Sequence, residues 1–300
     1  MKKQIINLVL ILIALGLPTV VSAQSYSFTT IDCPGEGQTT PFAINDSGQI
    51  VGGVSDNPGG VGGPVHSFLL LDDGTCNVFD PPPPGTGTSN ALGINARGEI
   101  VGNYNPSPVS GSGYLLSKGT FTRIDYPGAF CTSALGINDT GTIVGDFTTP
   151  ACNSPSHGYL LRHGTFTQYD VPGAAHTSLY GINSRGDLVG VYQPVFIPGG
   201  PTLGFLDRHG SITTINFPGA TSTTATKINN HGDIVGFYTD ILGAQHGFTY
   251  IDGNYSTIDV PFTGAYHTNA YGINDSGHLV GFYIVGTNEH GFKATPVPEP

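Results

Sequence analysis

Short apolar-rich runs of five or six residues, cut by Gly, Asn, Asp and Pro, set the rhythm of this chain. The segment from Thr132 to Asp170 shows the pattern. Ser133–Asn138 reads as a strand, followed by the tight turn Asp139-Thr140-Gly141, where Asn/Asp and Gly supply the positive φ that a hairpin needs. Thr142–Phe147 is a second strand, and a Pro- and polar-rich loop over Thr148–Ser156 follows. His157–Leu161 is a third strand, His163-Gly164 a two-residue turn, and Thr165–Asp170 a fourth strand. Four short antiparallel strands in succession are the blade of a β-propeller.

The unit recurs. Six near-identical nine-residue blocks, Ile44–Gly52, Ile94–Gly102, Ile137–Gly145, Ile182–Gly190, Ile228–Gly236 and Ile273–Gly281, share the pattern I-N-x-x-G-x-[IL]-V-G. Their asparagines stand at 45, 95, 138, 183, 229 and 274, with steps of 43 to 50 residues. A period of this size marks a repeat architecture. The chain opens on a lone fourth strand, Phe28–Asp32, and closes on a lone third strand, His290–Lys293. The two complete one blade if they pair. The expected fold is therefore an all-β, six-bladed propeller of four-stranded antiparallel blades, closed by 28–32 against 290–293. Such closure removes the exposed edges of an open array.

Composition agrees. Gly is 45 of 300 residues, about twice the usual ~7%, but it recurs at fixed turn positions. Lys2 and Lys3, the apolar run Ile5–Leu17 and the small residues Val21-Ser22-Ala23 have the form of a secretory signal over 1–23. The apolar run is short, and no stop-transfer charges follow it. The mature chain then starts at Gln24, with a propeller over 24–294 and a tail over 295–300. Without Lys2 and Lys3, 8 basic residues face 21 acidic ones, a balance of −13. Such a chain lacks the clustered Lys/Arg that nucleic acid or anionic membranes require. The expected molecule is an exported bacterial monomer with no membrane span in the mature chain as given.

Pairing across His163-Gly164 sets His157 opposite Asp170, and the same register sets His246 opposite Asp259 and His290 opposite Asp32. His66 and Asp80 form an offset pair, and Ser112 faces Asp125. In the fourth blade Leu203 replaces the His and Asn216 replaces the Asp. Loss of both partners together marks a structural cross-strand pair. The repeated Asn is expected to bond backbone at its turn. No metal site and no cofactor are predicted. Calcium is the one cofactor the N-D-S-G turn brings to mind, yet Ile94–Gly102 offers only Asn95 and Glu99 as ligands.

Both tight turns of each blade lie on one face. The long connections (Ser55–Val65, Asn105–Gly111, Thr148–Ser156, Gln193–Pro201 and Thr239–Gln245) lie on the other. Binding residues favour such loops. Arg97, Arg185, Arg162, Arg208 and Lys118 sit in tight turns, and Arg123 lies within a fourth strand, so anionic ligands are disfavoured on the loop face. Its charges are mostly acidic: Glu36, Asp56, Asp240 and Glu289. The residues that break the repeat are the candidates for function. Lys227 stands where the other copies have Ala43, Gly93, Gly136, Gly181 and Gly272, beside the central channel. His176 and His267 begin their blades at the loop-side rim. Candidate ligand-binding residues are thus Lys227, His176, His267, Glu36 and Asp240. Cys131 and Cys152 flank the loop face of one blade and are expected to be bridged, whereas Cys33 and Cys76 are expected near opposite faces, unpaired with each other.

The G-I-N-x-x-G-x-[IL]-V-G block and the H-G-F/Y strands at His157, His246 and His290 resemble the HAF-type extracellular repeat family, over almost all of the mature chain. The chain departs from that family by using Gly where the family name has Ala. The resemblance implies export and a repeat fold, and carries no activity. Val297-Pro298-Glu299-Pro300 resembles the start of a PEP-CTERM sorting signal. The expected function is a secreted or cell-surface, non-catalytic binding or scaffold propeller for a neutral glycan, matrix or protein ligand. The alternative is a propeller hydrolase or lyase at the loop-side mouth of the channel. For the pairs, His157→Leu is expected to lower the unfolding temperature and His157→Leu with Asp170→Asn to recover part of it. Additive losses in the thermal melts would reject the pairing.

Overall fold

The computed structural model describes residues 24–34, 37–55, 64–82, 88–107 and 110–298. The signal segment 1–23, Glu36, Asp56 and the Glu299-Pro300 end of the sorting-like motif lie outside the described residues. The fold is a ring of six four-stranded antiparallel sheets. Blades one to five run in sequence over 38–79, 89–124, 131–169, 176–215 and 222–258. The sixth joins three strands over 265–296 with Tyr26–Ile31 as its outer strand. The closure has the expected partners, with Thr29 opposite Lys293 and Thr30 opposite Phe292.

The nine-residue block explains the inner hairpin of every blade. Its Asn N–H bonds the carbonyl four residues on, and the Gly N–H bonds back to the Asn carbonyl, as in Asn138, Thr142 and Gly141. The turn Gly takes φ from +72° to +94° in all six copies, a region that an L side chain rarely adopts. Each inner strand also carries a bulge just before its small residue, as at Ala134/Gly136. The last Gly of the block faces this bulge. A Cβ at Gly145 would stand 1.9 Å from the Ser133 carbonyl and 3.0 Å from the Tyr159 ring. That ring belongs to a set: Phe68, Tyr114, Tyr159, Phe205, Phe248 and Phe292, one per blade on the third strand, are all buried.

The block's Asn joins the blades. Each Asn Nδ2 donates to the carbonyl of the equivalent Asn in the next blade, from Asn45 to Asn95, Asn138, Asn183, Asn229, Asn274 and back to Asn45. The six bonds measure 3.0–3.2 Å and close a circle. Each Oδ1 meanwhile accepts the backbone N–H four residues on, at 2.9–3.0 Å. All six asparagines are buried.

Farther out, the second residue after each outer strand tucks between blades. Tyr126, Val171, Phe217 and Val260 each donate their N–H to the hydroxyl of a Thr near the start of the next inner strand, at 3.0–3.3 Å. Cys33 does the same to Thr39. Blade two is the exception, because Pro81 has no N–H. There Ser89 turns its hydroxyl to the Asp80 carboxylate instead, 2.7 Å away.

This layer overturns the expectation for Cys33 and Cys76, which form a disulfide. The second side chain after an outer strand reaches inward between the sheets and meets the outer strand of the next blade. Tyr126 meets Phe166 there edge-on at 5.3 Å, and Phe217 meets Tyr255 at 5.4 Å. Cys33 and Cys76 occupy the same two places. The bridge thus replaces an aromatic pair and fastens the exit of the ring-closing strand to blade one. Cys131 and Cys152 form a second disulfide.

Asn183→Ala removes one bond of the circle and the acceptor of the Arg185 and Asp187 N–H groups. It is expected to cost about 1–3 kcal/mol in urea unfolding, the penalty for stranding buried polar groups. A loss under ~0.5 kcal/mol, ordinary for a surface site, would contradict the role.

Candidate functional site

The tight-turn face carries a cleft of about 500 Å³ between blades two and three, whose lining includes Arg97, Glu99, Arg123 and Asp125. At its channel mouth the residues after the ring asparagines form a second set of blade-to-blade bonds. Ala96, Ser184, Asn230 and Asp275 donate backbone N–H groups to Asp139, Asn230, Asp275 and Asp46 respectively, at 2.7–2.9 Å. Arg97 is held by Glu99 and by the Asp139 carbonyl. Among the described residues no cluster of three or more His, Cys, Asp or Glu could hold a metal ion.

The channel narrows where the small residues lie. A Cβ at Gly181 would approach the Lys227 Cα to 3.1 Å, and one at Gly272 the Ala43 Cα to 2.9 Å. Lys227 is not a solvated channel lysine. Its Nζ donates to the carbonyls of Leu135 and Tyr180, 2.8 Å each, in blades three and four. Both carbonyls belong to inner-strand bulges. The side chain thus ties blade five to two others across a cavity of about 60 Å³. Burial pushes its pKa down to about 7.

The rim histidines share a structural bond that their sequence positions concealed. His176 Nδ1 accepts the Ser156 N–H at 3.1 Å, and His267 Nδ1 accepts the Gln245 N–H at 2.9 Å. At the same position Ser222 Oγ accepts the Thr202 N–H and Cys131 Sγ the Gly111 N–H. The first residue of these blades caps the third strand of the blade before. Burial pushes the His176 pKa down, in keeping with an acceptor Nδ1. Asp240 caps its own loop, accepting the Leu242 and Ala244 N–H groups at 2.8 Å each, and these bonds hold its carboxyl below the usual range. Lys227, His176, His267 and Asp240 are not joined by hydrogen bonds to one another, and Glu36 lies outside the described residues.

The cross-strand pairs are formed as hydrogen bonds: His157 Nδ1 lies 2.9 Å from Asp170, His246 Nδ1 2.9 Å from Asp259 and His66 Nδ1 2.6 Å from Asp80. His290 and Asp32 stand at 3.5 Å across the closure. Ser112 does not bond Asp125. Its hydroxyl is buried without a partner among the described residues, and Asp125 pairs with Arg123.

The loop face carries a large polar cleft, of about 480 Å³, where blades two, three and four meet. Its walls include Asn103, Ser133, Asp146, Thr148, Ser156 and His176. The Cys131–Cys152 bridge lies in the same wall and pins the loop over 149–155 to the start of an inner strand. Asp146 is the acid of the cleft. Ser178 Oγ donates to its Oδ2 at 2.7 Å, Ser156 Oγ lies 2.9 Å from Ser178 Oγ, and His176 Nδ1 lies 3.0 Å from Ser156 Oγ. A hydrogen-bonded chain thus links carboxyl to imidazole. Burial raises the Asp146 pKa above the ordinary carboxylate value, against the opposing bonds from Ser178 and Ser133. Thr148 is buried, and its hydroxyl has no partner among the described residues.

Asp146 escaped the sequence reading although the signal was present. The residue after each I-V-G or L-V-G is Gly53, Asn103, Asp146, Val191, Phe237 or Phe282. An acid at this otherwise uncharged place is as clear an exception as Lys227.

The sequence matches no protein-family model and no curated protein. Solved structures resemble the fold. One is a protein of unknown function from Dyadobacter fermentans, at 13% identity and a TM-score of 0.55, covering 91% of this chain and 98% of that one. A variant of the Aleuria aurantia lectin, in complex with Fucα1-6GlcNAc, aligns at 13% identity and a TM-score of 0.50, covering 89% and 99%. The Trypanosoma rangeli sialidase aligns at 9% identity and 0.54, covering 91% of this chain and 59% of the sialidase. At these identities the likeness shows the propeller fold alone.

A carboxyl whose folded pKa is raised holds its proton more tightly in the folded state than in the unfolded one. Its stabilising contribution is complete below the unfolded value, about 3.9, and is lost as pH rises through the folded value. Asp146→Asn is therefore expected to raise the unfolding temperature at pH 7, with the gain shrinking toward pH 4. A pH-independent gain, or a loss at pH 7, would contradict the burial of this carboxyl.

Proposed function

We propose that this chain is an exported propeller that binds a hydroxyl-rich, non-anionic ligand of the glycan class on its loop face, acting by recognition rather than turnover. The cleft around Asp146 carries the reading. It is a preformed, oxygen-lined concavity on the face of the long connections, and the lining residues include no Lys or Arg. Loops on a rigid scaffold are where binding residues concentrate. The lectin among the resembling structures was solved with a saccharide in place.

Two disulfides suit an oxidising compartment, in keeping with the export that residues 1–23 and the HAF-type resemblance imply. Surface attachment through either end suits the geometry too. The Val297 N–H donates to the Ser25 carbonyl at 2.9 Å, so both ends of the described chain leave together, on the tight-turn side. A tether there would present the cleft outward.

The cleavage reading also has an observation in its favour: the Asp146–Ser178–Ser156–His176 chain joins a raised-pKa acid to an imidazole within the cleft. A panel of immobilised non-anionic oligosaccharides separates the two. Retention without product release, weakened at least tenfold by Asn103→Ala and unchanged by Arg97→Ala on the opposite face, is the expected result. Product release lost in Asp146→Asn would establish turnover instead. Binding indifferent to Asn103→Ala would reject the cleft.

A further inference from the structure

Asp146 is a half-buried acid that the fold does not require. Four of its five counterparts are Gly53, Val191, Phe237 and Phe282, and the fifth is the neutral Asn103. Its hydrogen-bond partners are the hydroxyls of Ser178 and Ser133. Hydroxyl dipoles orient a carboxylate without neutralising it, and an ionised carboxylate partly withdrawn from water without a counter-charge is disfavoured.

The surroundings supply no counter-charge. The cleft-lining residues include no Lys or Arg, and His176, the other titratable group in the lining, has its Nδ1 occupied as an acceptor. Lys227 is spent on the Leu135 and Tyr180 carbonyls. Tyr159 and Tyr180, which feel the Asp146 charge, are themselves neutral phenols raised by burial.

The rest of the lining is rich in oxygens that can accept. Ser133, Ser154, Ser156 and Asn103 all line the cleft. The Thr148 hydroxyl stands there buried and unpartnered among the described residues, and such a group costs free energy until something bonds it. Most ligand pockets are largely apolar and aromatic. This lining has no Phe, Tyr or Trp. A group carrying a positive charge and several N–H donors complements such a site, and a primary ammonium offers three donors with its charge.

We infer that the cleft receives the ammonium group of a hydroxyl-rich ligand, an amino sugar, with Asp146 as its counter-ion and Thr148 and Asn103 as flanking polar contacts. The inference rests on the glycan reading above and narrows it. Asp146 is then retained for the ligand, at the expense of the free protein. Neutral ligands of the same shape lack the charge that compensates the carboxylate.

Calorimetric titration of the full mature chain with glucosamine oligomers, their N-acetylated counterparts, glucose oligomers and spermidine tests this. Glucosamine oligomers are expected to bind at least tenfold more tightly than either neutral set. That preference is expected to vanish in Asp146→Asn, whose fold is checked by its melting temperature. Thr148→Val is expected to weaken the same ligands with their ranking retained. Equal affinity for amine and N-acetyl forms, unchanged by Asp146→Asn, would overturn the ammonium inference and leave the glycan reading standing. Spermidine binding that depends on Asp146, with no saccharide bound, would keep the ammonium site and reject the glycan reading. Failure of every ligand to bind would reject both.

Discussion

Six asparagine side chains, hydrogen-bonded head to tail around the axis, hold the ring closed. Each serves twice. Its oxygen fixes the hairpin turn of its own blade, and its nitrogen reaches the carbonyl of the next. A side chain one methylene longer or shorter could not satisfy both partners from the same backbone position. The turn geometry, the turn glycine and the bulge beside the second glycine all follow from keeping this amide in place. Because the circle includes Asn274 to Asn45, it also draws the last blade onto the first. The pairing of Tyr26–Ile31 with the strand over 288–296 and the Cys33–Cys76 bridge secure the same junction farther out.

The circle divides the molecule into two unlike faces. On the tight-turn side, Asp46, Asp139, Asp275 and Arg97 are committed to neighbouring backbone. On the loop side the connections differ from blade to blade, and a polar residue can face a cleft without breaking the repeat. Asp146 is tolerated there because the Asn circle, the cross-blade Thr bonds and the six buried third-strand aromatics hold the scaffold independently of it. This is the familiar division of a rigid frame and a variable site, with a charged position placed where function can use it.

Much of the fold was legible in the sequence, because a six-fold repeat aligns itself. Blade number, strand order and the closing partners follow from the block spacing and the two leftover strands. What stayed hidden were the contacts between blades. From the sequence, Asn45 and its equivalents are turn residues only, since spacing within one copy says nothing of the next copy's carbonyl. Cys33 and Cys76 were placed on opposite faces because strand order tracks where a backbone exits and not how far a side chain reaches inward. His176 and His267 stood out as unusual residues, although Ser222 and Cys131 make the same cap at equivalent places. Lys227 breaks the repeat in the sequence, yet its amine serves the interior. The site itself hid in a position dominated by Gly, Val and Phe, where an aligned comparison of the six copies exposes one acid.

The central claim is that a locked tight-turn face carries a separate, adaptable loop-face site. Amide hydrogen exchange of the mature protein, with and without a bound glucosamine oligomer, tests it most directly. The account predicts that the amides of Gln49, Glu99, Thr142, Asp187, Asp233 and His278, bonded to the ring asparagines, exchange only through global unfolding. Added protection on ligand binding is predicted to fall within 103–106, 131–156 and around His176. Fast exchange at the six turn amides, or ligand protection centred on the tight-turn mouth, would contradict it.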